Sequence, residues 1–370
     1  MPSEWFAELA AETKVNHQVK KLDGETVFKL ILFSLLNGQK TSLRVMEEFL
    51  ASASFQALHH TPACKFNSIR DRICTIKADY FAKLFTRIAQ RYQQQLGTTA
   101  EAVAIVDSTI VSLSAALLTA GMKTNQCDNL RAVKFSLRLV GTLPTHATVH
   151  TAQEDVGDEA ALVKLIDHAP KERRILLFDR GVNSRKTFDR FTGENCRFIS
   201  RLRPSSHLDK LEDLPLTPKP AGATLTIIAD QRARLHGTNY RTKHRYRVIT
   251  AVTAAGEPLR FVTNITELSA WDIAALYKQR WQIEVFFKFL KQHLNFKHFI
   301  SRQPNGISVM LYMTLMLAIL LTAYRHFHPS LSMKIAKLRF AIALDNELTK
   351  QIVILCGGDP NRAPHLWRQV

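Results

Sequence analysis

Two short runs without a polar side chain, Ala102–Val106 and Ile175–Phe178, limit what this chain can fold into more than any other feature. A strand with one wet face alternates apolar and polar residues, whereas an unbroken apolar run of this length marks a strand covered on both faces. Strands of that kind belong to α/β sheets with helices packed on either side. Each run also leads into an aspartate, Asp107 before Ser108-Thr109 and Asp179 before Arg180-Gly181. Sites in α/β sheets sit at the carboxyl ends of strands. Aspartate is also an ordinary turn residue there, so each alone says little, and it is the pair that marks a candidate site.

The surrounding pattern sharpens the fold. Val133–Val140 alternates as a half-buried strand, and Ala147–Thr151 makes a third strand. A helix is expected near 158–168, a short helix over Ser184–Phe191 with Ser184 as its cap, and a fifth strand over Arg197–Leu202. Three strands, a helix, a strand, a helix and a strand is the order of a ribonuclease-H-like α/β domain. Residues 1–97 read as helix throughout, with apolar positions at helical spacing from Val27 to Leu36, from Leu43 to Leu50 and from Tyr80 to Tyr92. Gly38 and Thr61-Pro62 punctuate these helices, and Thr41 or Ser42 caps the second. Gly97-Thr98-Thr99 marks the boundary to the strands. From 204 to 263 the composition shifts again: Pro204, Pro215, Pro218 and Pro220 open a loop-rich connection. Alternating strands follow at 224–228, 245–252 and 259–263, rich in Arg, Lys and His.

Fifty Lys and Arg against 32 Asp and Glu leave a formal net charge of +18, which makes a polyanion the expected partner. The cations lie in segments with apolar periodicity, so the basic character belongs to a folded protein. Five cysteines are scattered singly, which argues against a disulfide framework and a structural zinc site and suits a reducing cytosol. The first residues show no cationic start followed by an apolar run, so no signal peptide is expected. Residues 306–324 carry no charge and are long enough to cross a membrane. Ser308, Tyr312, Thr314 and Thr322 interrupt them, and a buried core helix is the favoured reading.

That apolar run follows a stretch of different character, residues 277–291. Tyr277, Arg280, Glu284 and Lys291, joined by Lys288, return to one face of a helix. Ile283, Phe286, Phe287, Leu290 and Leu294 fall mostly on another sector and face a core. One carboxylate among cations and an aromatic hydroxyl suits a metal ligand beside a phosphate backbone. A solvated face of a basic protein carries the same residues, so the aspartates decide. Ser269 is expected to cap the long helix that bears this face.

With Asp107 and Asp179, this constellation resembles the DDE transposases of the insertion-sequence-four family. Their signature is Tyr, two residues, Arg, three residues, Glu, six residues, Lys, and Tyr277, Arg280, Glu284 and Lys291 meet every spacing. The family usually shows an aromatic just after the second Asp-x-Gly, where this chain has Val182-Asn183. The resemblance implies a ribonuclease-H-like catalytic core interrupted by a β-rich insertion and preceded by an all-α N-terminal domain. The expected divisions are 1–98 (helical, DNA-binding), 99–203 and 265–325 (the two parts of the core), 204–264 (the insertion) and 326–370 (a helical tail). Asp107, Asp179 and Glu284 would be the catalytic carboxylates and would bind two Mg²⁺ ions, for which Mn²⁺ could substitute. Tyr277, Arg280, Lys288 and Lys291 would contact DNA. The implied activity is cleavage and strand transfer at the terminal inverted repeats of a bacterial insertion sequence, into double-stranded target DNA. A homodimer would hold the ends in a cytoplasmic, nucleoid-associated complex with no membrane involved. A catalytically silent DNA-binding derivative, another ribonuclease-H-like nuclease and a membrane-anchored protein are the competing readings.

Overall fold

The computed structural model describes the chain except at residues 1, 38–41, 60, 99–101, 113–121, 125–126, 169–173, 238, 295, 297–299, 302 and 363–370. Gly38, Thr41 and Thr99, assigned above to a helix end, a cap and a boundary, lie outside the described residues. Six helices come first: α1 (Ser3–Thr13), α2 (Gly24–Asn37), α3 (Leu43–Ala51), α4 (Ala53–Leu58), α5 (Phe66–Thr75) and α6 (Ala78–Gln95). The expected cap is present at α3, where Ser42 Oγ accepts from the Val45 amide at 3.2 Å. Helix α6 shows how the spacing works, burying Tyr80, Phe81, Leu84, Phe85 and Ile88 along one stripe.

The sheet begins with β1 (Val103–Ser112), β2 (Met122–Thr124), β3 (Cys127–Val140) and β4 (Leu143–His150), followed by α7 (Asp158–His168), β5 (Ile175–Leu177), α8 (Arg185–Gly193) and β6 (Phe198–Arg201). Strand β1 lies between antiparallel β3 and parallel β5, and β6 continues parallel to β5. Both β4 and β2 pair with the far side of β3. The apolar runs are continuous because both faces are covered. Val103, Ile105, Ile175 and Leu177 face a core shared with α1–α6, while Ala104, Val106, Leu176 and Phe178 face α7 and α8.

Five more strands follow: β7 (Leu208–Asp213), β8 (Leu225–Gly237), β9 (Tyr240–Arg241), β10 (Tyr246–Thr253) and β11 (Pro258–Thr263). They extend the same sheet, since β11 pairs with β6 and the order continues through β10 and β8 to β7, with β9 on β8. Strand β7 lies inside the stretch expected to be loop. With only Leu208 and Leu211 apolar and mostly exposed, this edge strand lacks the periodic signal of a buried one. Its place is set by pairing with β8.

Helices α9 (Ala270–Lys278), α10 (Trp281–His293), α11 (Pro304–Phe327) and α12 (Met333–Leu355) follow. The single long helix expected after Ser269 is two. Gln279 and Arg280 keep helical dihedrals, but the Gln279, Arg280, Gln282 and Ile283 amides bond three residues back, a tightened 3₁₀-type turn between α9 and α10. Ser269 caps α9, in a reciprocal arrangement with Asp272. The uncharged run forms most of α11. Its most apolar stretch is 83% buried, against α2, α5, α6 and β4, as a core helix is.

Candidate active site

Asp107 was expected where its strand ends, yet β1 continues to Ser112, because the 14-residue β3 keeps pairing with it past Asp107. What stops early is the parallel neighbour: β5 ends at Leu177, beside Ile105, and the chain turns away through Asp179. Asp107 therefore stands at the carboxyl edge of the parallel part of the sheet, with Asp179 next to it. Glu284 arrives from the first turn of α10, where the Arg280 guanidinium one turn earlier holds its carboxylate. All three line one cavity of about 440 Å³, with Ser108, Arg280, Phe287, Lys288, Lys291 and Gln292. A larger apolar groove of about 1010 Å³ runs along another face of α10 past Trp281, Val285 and Phe286, but among the described residues no carboxylate lines it.

Arg280 organises the charges. Its guanidinium donates to Glu284 and lies 3.6 Å from Asp107 Oδ2. Burial raises the Asp107 carboxyl to about 6; the Ser108 amide and Arg280 pull it down, while the Asp179 charge pushes it further up. Tyr277 is buried on the ring of Phe261 and donates toward Asp179 Oδ1 at 3.5 Å. Lys291 Nζ donates to Thr109 Oγ1 at 2.8 Å, tying α10 to β1, and Lys288 is exposed at the cavity rim. The structure thus brings Asp107, Asp179, Glu284, Arg280, Lys288 and Lys291 to one cavity. Tyr277 supports it from beneath.

Among the described residues, no group of three Asp, Glu, His or Cys side chains converges closely enough to hold a metal ion as it stands. Arg280 supplies the positive charge between Asp107 and Glu284. The donor set nevertheless suits a divalent cation. It is made of carboxylate oxygens, Asp107 is a half-buried acid whose charge is only partly offset, and Asp179 adds like charge beside it.

Several residues around the site escaped the sequence reading. Strand β3 alternates as if one face were wet, yet Lys134, Ser136 and Arg138 on that face are all buried. Lys134 Nζ donates to the Val156 carbonyl and, at 3.0 Å, to Asp158 Oδ1, while His150 Nε2 bonds Ser136 Oγ at 3.0 Å. Periodicity reports polarity and not exposure, so it cannot tell a solvated face from a satisfied buried one. Arg201, at the end of β6, has a buried Nε without a hydrogen-bond partner among the described residues, and its charge reaches Tyr277. No motif marks it.

With this geometry in place, comparison with known proteins adds family membership. The family model described as "Transposase DDE domain" matches residues 98–321, which include all three carboxylates and the signature on α9 and α10. The chain is 29% identical over 135 residues to a Geobacillus stearothermophilus protein named as a probable transposase for insertion sequence element IS5377, covering 36% of this chain and 35% of that one. It is 27% identical over 218 residues to a Synechocystis protein named as a transposase for insertion sequence element IS4SA, covering 56% and 55%. A Sinorhizobium fredii protein named as transposase y4zB shares 35% over 92 residues, covering 25% and 26%. The chain thus matches between about a quarter and just over half of these relatives' lengths. Because the family model spans more than half of the sequence, from the start of the sheet through most of α11, this chain belongs to the transposase DDE domain family.

Proposed function

We propose that this protein is an insertion-sequence transposase of the insertion-sequence-four family that cleaves DNA at the element's ends and transfers the strands to a target. The observation that carries it is the meeting of Asp107, Asp179 and Glu284, from β1, the turn after β5, and α10, in one cavity edged by cations. Asp107, Asp179 and Glu284 would hold Mg²⁺. When bound, such ions make water or a DNA 3′-OH a better nucleophile and stabilise the leaving oxygen. The chain's own residues do the rest. Arg280, Lys288 and Lys291 face the phosphates from the cavity, and the charge of Arg201 reaches Tyr277 behind it. Tyr277 orients Asp179 through its hydroxyl.

The proposed divisions are a helical DNA-binding segment over 1–98, a core over 99–203 and 265–325, a β-rich basic insertion over 204–264 and a helical tail over 326–370. A homodimer is proposed to pair the two element ends. The test is end cleavage and strand transfer on DNA carrying the element's termini, with Mg²⁺ or EDTA, for the native protein and Glu284→Ala. Metal-dependent release of 3′-OH ends, lost in the variant with end binding kept, supports the reading. Specific binding without cleavage in the native protein would instead fit a silent DNA-binding derivative.

A further inference from the structure

Two consecutive acids open α7, and each holds a different catalytic segment. Asp158 Oδ1 accepts from Ser108 Oγ at 3.1 Å and from Lys134 Nζ at 3.0 Å, and the Ser108 amide in turn donates to Asp107 Oδ1 at 2.7 Å. Asp158 is thereby fastened to β1 immediately beside Asp107. Glu159 takes the other side. Its Oε2 accepts from the amides of Asn183 at 3.2 Å and Ser184 at 3.0 Å, and its Oε1 from Thr187 Oγ1 at 2.6 Å. Asn183 and Ser184 end the turn that runs from Asp179, and Thr187 lies in the first turn of α8 behind it. The two sets also touch, since a Cβ placed on Gly181 would lie 2.9 Å from Asp158 Cβ.

Lys134 shows that this is more than a helix cap. Its side chain is wholly buried, and a buried ammonium is retained only where it is paired. Its partners are Asp158 and the Val156 carbonyl, so it pins the start of α7 to β3, the strand that pairs with β1 through the Asp107–Leu137 register.

We propose that the Asp158–Glu159 pair, anchored by Lys134, is a positioning clamp that sets the separation of Asp107 and Asp179 for cation binding. The inference rests on the function proposed above. Neither acid lines the cavity, but each is hydrogen-bonded to a segment that does, Asp158 to Ser108 and Glu159 to the turn after Asp179, and the Asp158 charge also reaches Asp107.

The experiment compares the native protein, the double variant Lys134→Met/Asp158→Ala, Glu159→Ala, Glu159→Gln and Asp107→Ala. The double variant removes a buried charge together with its partner, which proteins tolerate better than losing one of the two. Each is measured for thermal midpoint, for Mn²⁺ affinity by calorimetry without DNA, and for single-turnover end cleavage at saturating DNA. In the double variant and in Glu159→Ala the clamp predicts Mn²⁺ affinity and cleavage lowered about 10- to 100-fold, with DNA-end affinity unchanged. Glu159→Gln, which keeps an acceptor oxygen, should recover most of the loss. Native-like Mn²⁺ affinity in a folded double variant overturns the clamp, as does equal loss in Glu159→Ala and Glu159→Gln. If the double variant does not fold, the two Glu159 variants decide between the same outcomes. Asp107→Ala separates the two ideas: if it binds Mn²⁺ and cleaves normally, the proposed function fails, whatever the clamp variants do.

Discussion

Asp107→Asn should make the metal-free protein more stable near neutral pH, although it removes one of the three carboxylates proposed to bind metal. Burial is the main reason that the Asp107 carboxyl stands at about 6 in the fold, against an ordinary 3.8. At 1.36 kcal/mol per pH unit, that gap makes the ionised carboxylate cost the fold about 3 kcal/mol. The sign follows from a raised carboxyl value. The cost is absent below 3.8, grows between 3.8 and about 6, and is complete above that. Asparagine keeps an oxygen for the Ser108 amide and carries no charge at any pH. Urea unfolding in EDTA should therefore show the variant more stable by about 3 kcal/mol at pH 7.5, with the difference shrinking to a few tenths near pH 4. Adding Mg²⁺ at pH 7.5 should stabilise the native protein and not the variant, because only the former gains a bound ion on folding. A variant that is equally or less stable at pH 7.5, or a difference that ignores pH, would refute the account of Asp107 as a half-buried acid whose charge costs the fold.

Arg280→Ala should raise the Asp107 value further, since Arg280 now lowers it, and should shallow the salt dependence of end binding by about one charge. An unchanged slope would remove Arg280 from the phosphate contacts. Gly181→Ala should slow cleavage with little change in end binding, because the new methyl meets Asp158 at 2.9 Å and must displace it or the turn; native cleavage rates in this variant would show that the contact yields freely. Away from the site, Asp189 accepts from the Lys243 and His244 amides and from the Tyr240 and Tyr246 hydroxyls. Asp189→Asn cannot satisfy all four, so urea unfolding should show a loss of about 2–4 kcal/mol at pH 7. These bonds outweigh burial and hold the Asp189 value below its usual range, so the native protein should lose stability as pH falls from that range toward the lowered value.

Much of this protein is legible in the chain alone. The runs through Ala104 and Leu176 announce strands covered on both faces, and Ser42, Ser184 and Ser269 announce helix starts, because these signals depend on neighbours a few residues away. The spacing of Tyr277, Arg280, Glu284 and Lys291 likewise survives the tightened turn between α9 and α10, since the dihedrals remain helical through it. Elsewhere partners distant in sequence decide. Strand β1 outruns its apolar stretch because β3 supplies a ladder past Asp107, and β7 exists because β8 offers it an edge. Lys134 looks like a solvated strand residue until α7 closes over it and Asp158 and Val156 satisfy its charge. Local periodicity and residue chemistry marked the residues proposed to carry the reaction. Which of them meet, and what holds them apart, was left to long-range packing, where burial energy and the pairing of buried charges are settled among segments the sequence keeps far apart.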